Sequence, residues 1–305
     1  MWRRMLGVGS GVVLALGAGA MPPAAQAAVT AASAPCSTWV GSVTGAGAHT
    51  FKAVSATTPP SLTRSTSSAG VHGPGQVRIA SHFEDYPKSG AGSVRSGYVV
   101  IGDALYHSGY AVDGNDNVEP PGSSLQRVGG GWSNFSLVEW SAYNAGAVAP
   151  RTELYALRKD GVLMRWHRQD NGWRSTGSYA GFGAVKTMAL ISKQPTYDTF
   201  LANTKGGALY TIRIPVASPM KPVVKQVRTR TWQGFETLTA SKCGQYGTLL
   251  LGIDKDTKTG FLYAVGRANG TATVIKGIGQ VSTTFPDPVD FRWSPVSFAD
   301  NLNGE

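Results

Sequence analysis

GGWSNFSLVEW (Gly130–Trp140) and, after a Pro-containing stretch, TELYALRKDGVLMRWHR (Thr152–Arg168) decide the reading of this chain. Phe135, Leu137 and Trp140 lie in a strand-like run, and Leu154-Tyr155-Ala156-Leu157 is a second. Lys159-Asp160-Gly161 is a turn with glycine where positive φ is needed, and Val162–Trp166 returns as a third strand. A sheet of three or four strands has two faces and cannot bury both alone. It needs neighbours, and the chain supplies them as degenerate copies.

Laying aromatic anchors side by side finds the copies. Trp132-Ser133-Asn134-Phe135 recurs as Phe182–Val185, Trp232–Phe235 and Ile278–Val281, at spacings of about 50, 50 and 46 residues. That period is in the range of propeller blades. A further apolar position follows three residues on, at Val138, Met188 and Leu238, with polar Thr284 in the last copy. The returning strand recurs as Leu105-Tyr106, Leu163-Met164, Leu209-Tyr210 and Leu262-Tyr263. The pattern predicts an all-β fold, a β-propeller of five blades closed by an N-terminal strand. Evenly spaced short strands in a sandwich are the alternative.

Gly-Gly-Trp-x-x-Phe at Gly130–Phe135, Leu-Tyr-Ala-Leu at Leu154–Leu157 and Leu163-Met164-Arg165 resemble the tachylectin-type β-propellers. The resemblance runs from about Arg78 to the C-terminus and is closest in the central repeat. It implies a five-bladed lectin fold and binding of N-acetylated amino sugars. The chain departs from that family in having repeats that share little beyond the anchors. It also has Ser141–Arg151 where the family has an Asp/Asn-Gly turn before Leu-Tyr-Ala.

At the N-terminus, Arg3 and Arg4 precede an apolar run, Leu6–Ala20, too short to span a bilayer. Ala25-Gln26-Ala27 is a small-x-small cleavage site. Residues 1–27 therefore read as a signal peptide, by the general or the twin-arginine route, and the protein as secreted. About 278 residues and a net charge near +8 remain, enough for one five-bladed propeller. Residues 28–76 read as an N-terminal strand plus a Ser/Thr/Pro-rich linker or long loop (Val54–Gln76), with strand candidates at Trp39-Val40 and Thr50–Val54. These would complete a last blade begun near Ile278. Residues 77–305 hold the repeats, with Phe83 in the anchor slot of the first. Cys36 and Cys243 are the only cysteines. In an exported chain the pair reads as a disulfide, with two separate buried thiols as the alternative.

The same residues argue against several chemistries. The five histidines form no metal-spaced pair, and no G-x-S-x-G elbow is present. Asp113-Gly114-Asn115-Asp116-Asn117 has Val118 and Ser124 at the sixth and twelfth positions, where a calcium loop needs glycine and glutamate, and reads as a loop tip. Asp254–Lys258 reads as a turn, since Lys255 and Lys258 would repel a cation. Glu84-Asp85 and Glu119 are acids, but neighbours on a strand point to opposite faces, and glycoside cleavage needs two carboxylates facing one bond. The expectation is a non-enzyme with no cofactor and no metal. Lys221–Arg230 is the densest basic run but lacks the interleaved aromatics of a nucleic-acid groove. Neutral sugar binding leads, to a glycan or cell-wall polysaccharide, and an extracellular scaffold without sugar binding is the alternative. Aromatic rings offer a flat apolar face to a pyranose. The candidate ligand-binding residues are Tyr155, Arg165, Trp166 and Trp173, with Arg165 donating to sugar oxygens. Trp132 and Trp232, at fixed offsets, read as packing between blades.

Overall fold

A computed structural model describes residues 35–144, 150–295 and 301–305. The proposed signal segment lies outside them. The described chain is all-β, and its twenty strands fall into five four-stranded antiparallel groups arranged as a β-propeller. Three N-terminal strands, β1 (Ser37–Val43), β2 (His49–Ser55) and β3 (Ser61–Ser68), belong to a composite blade. The first blade is β4 (Val77–Pro87), β5 (Ser93–Ile101), β6 (Ala104–Val112) and β7 (Ser124–Gly130). The second is β8 (Phe135–Tyr143), β9 (Arg151–Arg158), β10 (Leu163–Gln169) and β11 (Gly172–Tyr179). The third is β12 (Val185–Lys193), β13 (Tyr197–Thr204), β14 (Leu209–Pro215) and β15 (Val223–Arg228). The fourth is β16 (Thr237–Cys243), β17 (Gly247–Asp254), β18 (Thr259–Val265) and β19 (Ile275–Thr284). Finally β20 (Val289–Pro295) pairs antiparallel with β1 and supplies the inner strand of the composite blade, in the order β3-β2-β1-β20. A short parallel pairing of β20 with β4 joins this blade to the first.

The inner strands β4, β8, β12, β16 and β20 together line a channel of about 330 Å³. Among the described residues the apolar core is divided rather than central. Five apolar clusters occur, each between two adjacent blades. This is how sheets that are apolar on both faces bury themselves: each face is covered by the next blade.

The anchors work through one repeated hydrogen bond. The backbone N–H of the anchor donates to a carbonyl in the turn between the second and third strands of the preceding blade. Trp132 donates to Asp103, Phe182 to Gly161 and Trp232 to Gly207, at 2.9–3.0 Å. Phe285 donates to Lys258 and His72 to Gly47, both at 2.9 Å. The first and last anchors therefore differ from the sequence expectation. His72, not Phe83, fills the first slot; Phe83 is a buried residue of β4. Phe285, not Ile278, fills the last; Ile278 lies in β19, the outer strand of the fourth blade. The closing blade accordingly begins at β20 and takes three N-terminal strands, β1 and β2 at the two expected places and β3 besides. The stretch read as a linker contains one of them, β3, in which Thr63, Ser65 and Ser67 are exposed and Ser68 is buried while the backbone pairs with β2. The apolar positions three residues beyond the second anchor residue, Val138, Met188 and Leu238, are buried as expected, and Phe291 completes the series.

Gly161 shows why the turn chemistry is fixed. Its φ is +84°, and a Cβ there would lie 2.2 Å from the amide nitrogen of Gly183 in the next blade's anchor segment. Gly260 serves differently. Leu105, Leu163 and Leu209 are fully buried two residues after their turns, but in the fourth blade that position is Gly260, and the Phe285 ring occupies the space. A Cβ at Gly260 would lie 2.4 Å from Phe285 Cε2. Gly260→Ala should therefore cost about 1–3 kcal/mol by overpacking, read as a lower denaturant midpoint with unchanged slope. An unchanged midpoint would show that Phe285 repacks freely.

Candidate functional site

A cavity of about 480 Å³ opens between the first and second blades. Gly129–Trp132, Asn134 and Phe135 form one side, and Leu154, Met164, Trp166 and Trp173 the other. Strand alternation explains the composition. In the β9–β10 register Trp166 stands opposite Leu154, and Arg165 opposite Tyr155. Side chains alternate faces along a strand, so Leu154, Met164 and Trp166 turn toward the first blade. Trp132 packs beside Trp166, with centroids 5.5 Å apart and planes tilted by 30°. Trp166 and Trp173 are half-buried, so each keeps part of its ring free. Trp173 meets the Tyr98 ring edge-on at 5.7 Å. The wall is thus apolar and aromatic, with Asn134 and Arg158 as its polar groups.

The structure brings Trp166 and Trp173 together as expected, and separates Tyr155 and Arg165 from them. Tyr155 is fully buried on the opposite face, its hydroxyl donating to Asp198 Oδ2 at 2.7 Å. Burial pushes its phenol well above the usual range, and Asp198 adds to this. Arg165 is 1% exposed and spends its donors on Thr176 Oγ1 (2.9 Å) and the Pro215 carbonyl. Both side chains are braces between the second and third blades. Arg151 joins them there, donating from Nη1 and Nη2 to the Asp198 carboxylate at 2.8 Å. A single pocket holding both Arg165 and Trp166 conflicts with the pleat, because adjacent strand residues face opposite ways. Trp232 is a packing residue, as expected; Trp132 packs and also lines the cavity.

Other expectations concern acids and turns. Asp116 is held by Arg95 and by Arg64 (2.9 Å), and Asp113 accepts the Asn115 and Asn117 N–H groups, which makes the segment a loop tip. Asp254 caps its turn by accepting from the Asp256 and Thr257 amides. Glu84 is buried and accepts the Tyr86 hydroxyl, while Glu119 pairs with Lys88.

The sequence reading missed the channel chemistry. His82 Nδ1 and Glu139 Oε1 share a hydrogen bond between β4 and β8, and His82 stacks on Trp140 at 4.4 Å. Burial lowers the His82 imidazole and Arg292 lowers it further, against the pull of Glu139. Burial alone would raise the Glu139 carboxyl, but His82, Arg292 and the Trp140 amide hold it below its usual range. The two residues are 57 positions apart, with no local motif to join them.

No protein-family model matches the chain, and no curated protein matches it. Solved structures do. A fucose-specific lectin from Aleuria aurantia is 12% identical, with 86% of each chain covered and a TM-score of 0.48. Another structure of that lectin, described as a six-bladed β-propeller, is 11% identical over 85% of each chain, with a TM-score of 0.49. An α-L-arabinofuranosidase from Podospora anserina, in complex with cellotriose, is 11% identical over 73% of this chain and 77% of its own, with a TM-score of 0.46. At these identities and scores the likenesses say nothing about what this chain binds.

Proposed function

We propose that the chain is a secreted, non-catalytic, five-bladed β-propeller that binds glycan in the cavity between its first and second blades. The observation that carries this reading is the half-buried pair Trp166 and Trp173 on one wall of an open cavity, with Trp132 behind them and Asn134 across. An indole face takes the C–H face of a pyranose, and an amide bonds its hydroxyls. The five groups of four strands around one channel support the blade count, and the antiparallel β1–β20 pairing supports closure from both chain ends. The disulfide is compatible with an extracellular setting. The tachylectin-like motif suggests an N-acetylated amino sugar. The acids considered for glycoside cleavage are committed, Glu84 to Tyr86, Asp85 to Arg95 and Trp293, and Glu119 to Lys88, which favours binding over hydrolysis.

Trp173→Ala should weaken retention on a chitooligosaccharide column about tenfold, roughly 1.4 kcal/mol, with little change in melting temperature. Trp166→Ala should weaken it as much but also cost stability, because Trp166 packs on Trp132 and Phe135. Calorimetry beside the retention assay separates these effects. Wild-type protein that retains no glycan would sink the reading. It would promote the extracellular scaffold, which one observation favours already. A further cavity, lined by β18 and β19 of the fourth blade at Phe261–Tyr263 and Gly277–Gly279, has aromatics but neither Asn nor Asp, so the site is not repeated there.

A further inference from the structure

We infer that the saccharide taken between the first and second blades is an anionic one, bearing a carboxylate or a sulfate; this rests on the glycan-binding reading of that cavity. No carboxylate lines the cavity, and its charged wall residue is Arg158. Arg168 lies over the Trp173 ring, with Cζ 5.7 Å from the centroid. Arg127 reaches across Gly130 of the cavity wall, where a Cβ would lie 2.8 Å from its Nη2. Three guanidiniums therefore border an aromatic floor.

The acids beside this rim are already committed. Asp103 accepts the N–H groups of Ser133 (2.8 Å) and Gly131 (3.1 Å), and these bonds hold its carboxyl below the usual range. Asp160 pairs with Arg158 and accepts the Val162 amide at 3.3 Å. Arg127 and Arg168 form no ion pair among the described residues. The charge of Arg168 reaches across the seam: it adds to burial in lowering the His107 imidazole of β6. A guanidinium presents a planar fork that matches a carboxylate or sulfate at the edge of a ring already stacked on indole. The net charge of about +8 that remains once residues 1–27, with Arg3 and Arg4, are removed draws such a ligand in from solution.

The test is titration calorimetry with chitotetraose, tetragalacturonate and a sulfated tetrasaccharide, at low and at physiological salt. Wild-type protein should bind an anionic probe at least about tenfold more tightly than chitotetraose, with the margin narrowing as salt rises. The double variant Arg127→Gln/Arg168→Gln should lose that margin. Which anionic probe wins assigns carboxylate or sulfate. Equal binding of neutral and anionic probes, or a margin that survives the double variant, overturns this inference and leaves the glycan reading standing. Anionic binding that is unchanged in Trp173→Ala is surface charge alone and also overturns it. Failure of all three probes overturns both readings.

Discussion

Replacing Cys243 by serine is expected to lower stability by up to about 5 kcal/mol, the largest single effect we anticipate. The Cys36–Cys243 disulfide spans 207 residues, and in the chain-entropy account a loop of that size contributes about this much by constraining the unfolded chain. Its position makes the effect more than generic. Cys36 precedes β1 and Cys243 ends β16, so the bond fastens the composite blade to the inner strand of the fourth. Beside it, Thr38 Oγ1 and Ser241 Oγ share a hydrogen bond of 2.9 Å. Without the bond, β1–β3 are held to the C-terminal strand by the β1–β20 pairing and by packing. A melting temperature lower by on the order of 10 °C should accompany faster amide exchange in β1–β3 than elsewhere. Free-thiol titration of the intact protein without reductant should give close to zero. A serine variant that melts within about 2 °C of wild type would show that the bond adds nothing to closure.

The second large effect is acid destabilisation, centred on histidines. His72 is pushed down to about 4 by burial, and neither ring nitrogen has a hydrogen-bond partner. His49 lies well below its usual value through burial, then through His72 and Arg95, and His82 is lowered as well. The folded protein holds these rings neutral, while the unfolded chain protonates them near 6.5. Their stabilisation is thus complete above pH 6.5 and is lost as pH falls toward 4. Asp290 runs the other way: burial raises its carboxyl to about 6 despite Lys255, so acid relieves it. Glu153, raised by burial, does the same.

A variant isolates the contribution of His72. The equivalent anchors in the other blades are Trp132, Phe182, Trp232 and Phe285, so His72→Phe restores an apolar ring to a slot that prefers one. The loss of stability between pH 7.5 and pH 4 should shrink by about 3 kcal/mol, with stability at pH 7.5 equal or higher. Parallel denaturation curves with the same pH dependence for both proteins would refute this.

Alternation of apolar residues, glycine turns and recurrent Trp/Phe anchors were enough to establish an all-β repeat, because local backbone preference and the two-residue period act within a few positions. The central anchors Trp132, Phe182 and Trp232 and the strands at Trp39-Val40 and Thr50–Val54 were legible for that reason. The terminal anchors were not. His72 is polar, and Phe285 precedes Pro286-Asp287-Pro288, so neither resembles its counterparts. Each is defined by a hydrogen bond to a turn in another blade. The site divides the same way. The sequence placed Trp166 and Trp173 around one turn but grouped Arg165 with Trp166, which the alternation of side chains along one strand forbids. Which face meets the open seam and which meets Asp198 and Pro215 depends on the neighbouring blade. The His82–Glu139 pair depends on two inner strands meeting at the channel. Only tertiary structure decides such contacts, because they join residues that no local preference of the chain relates.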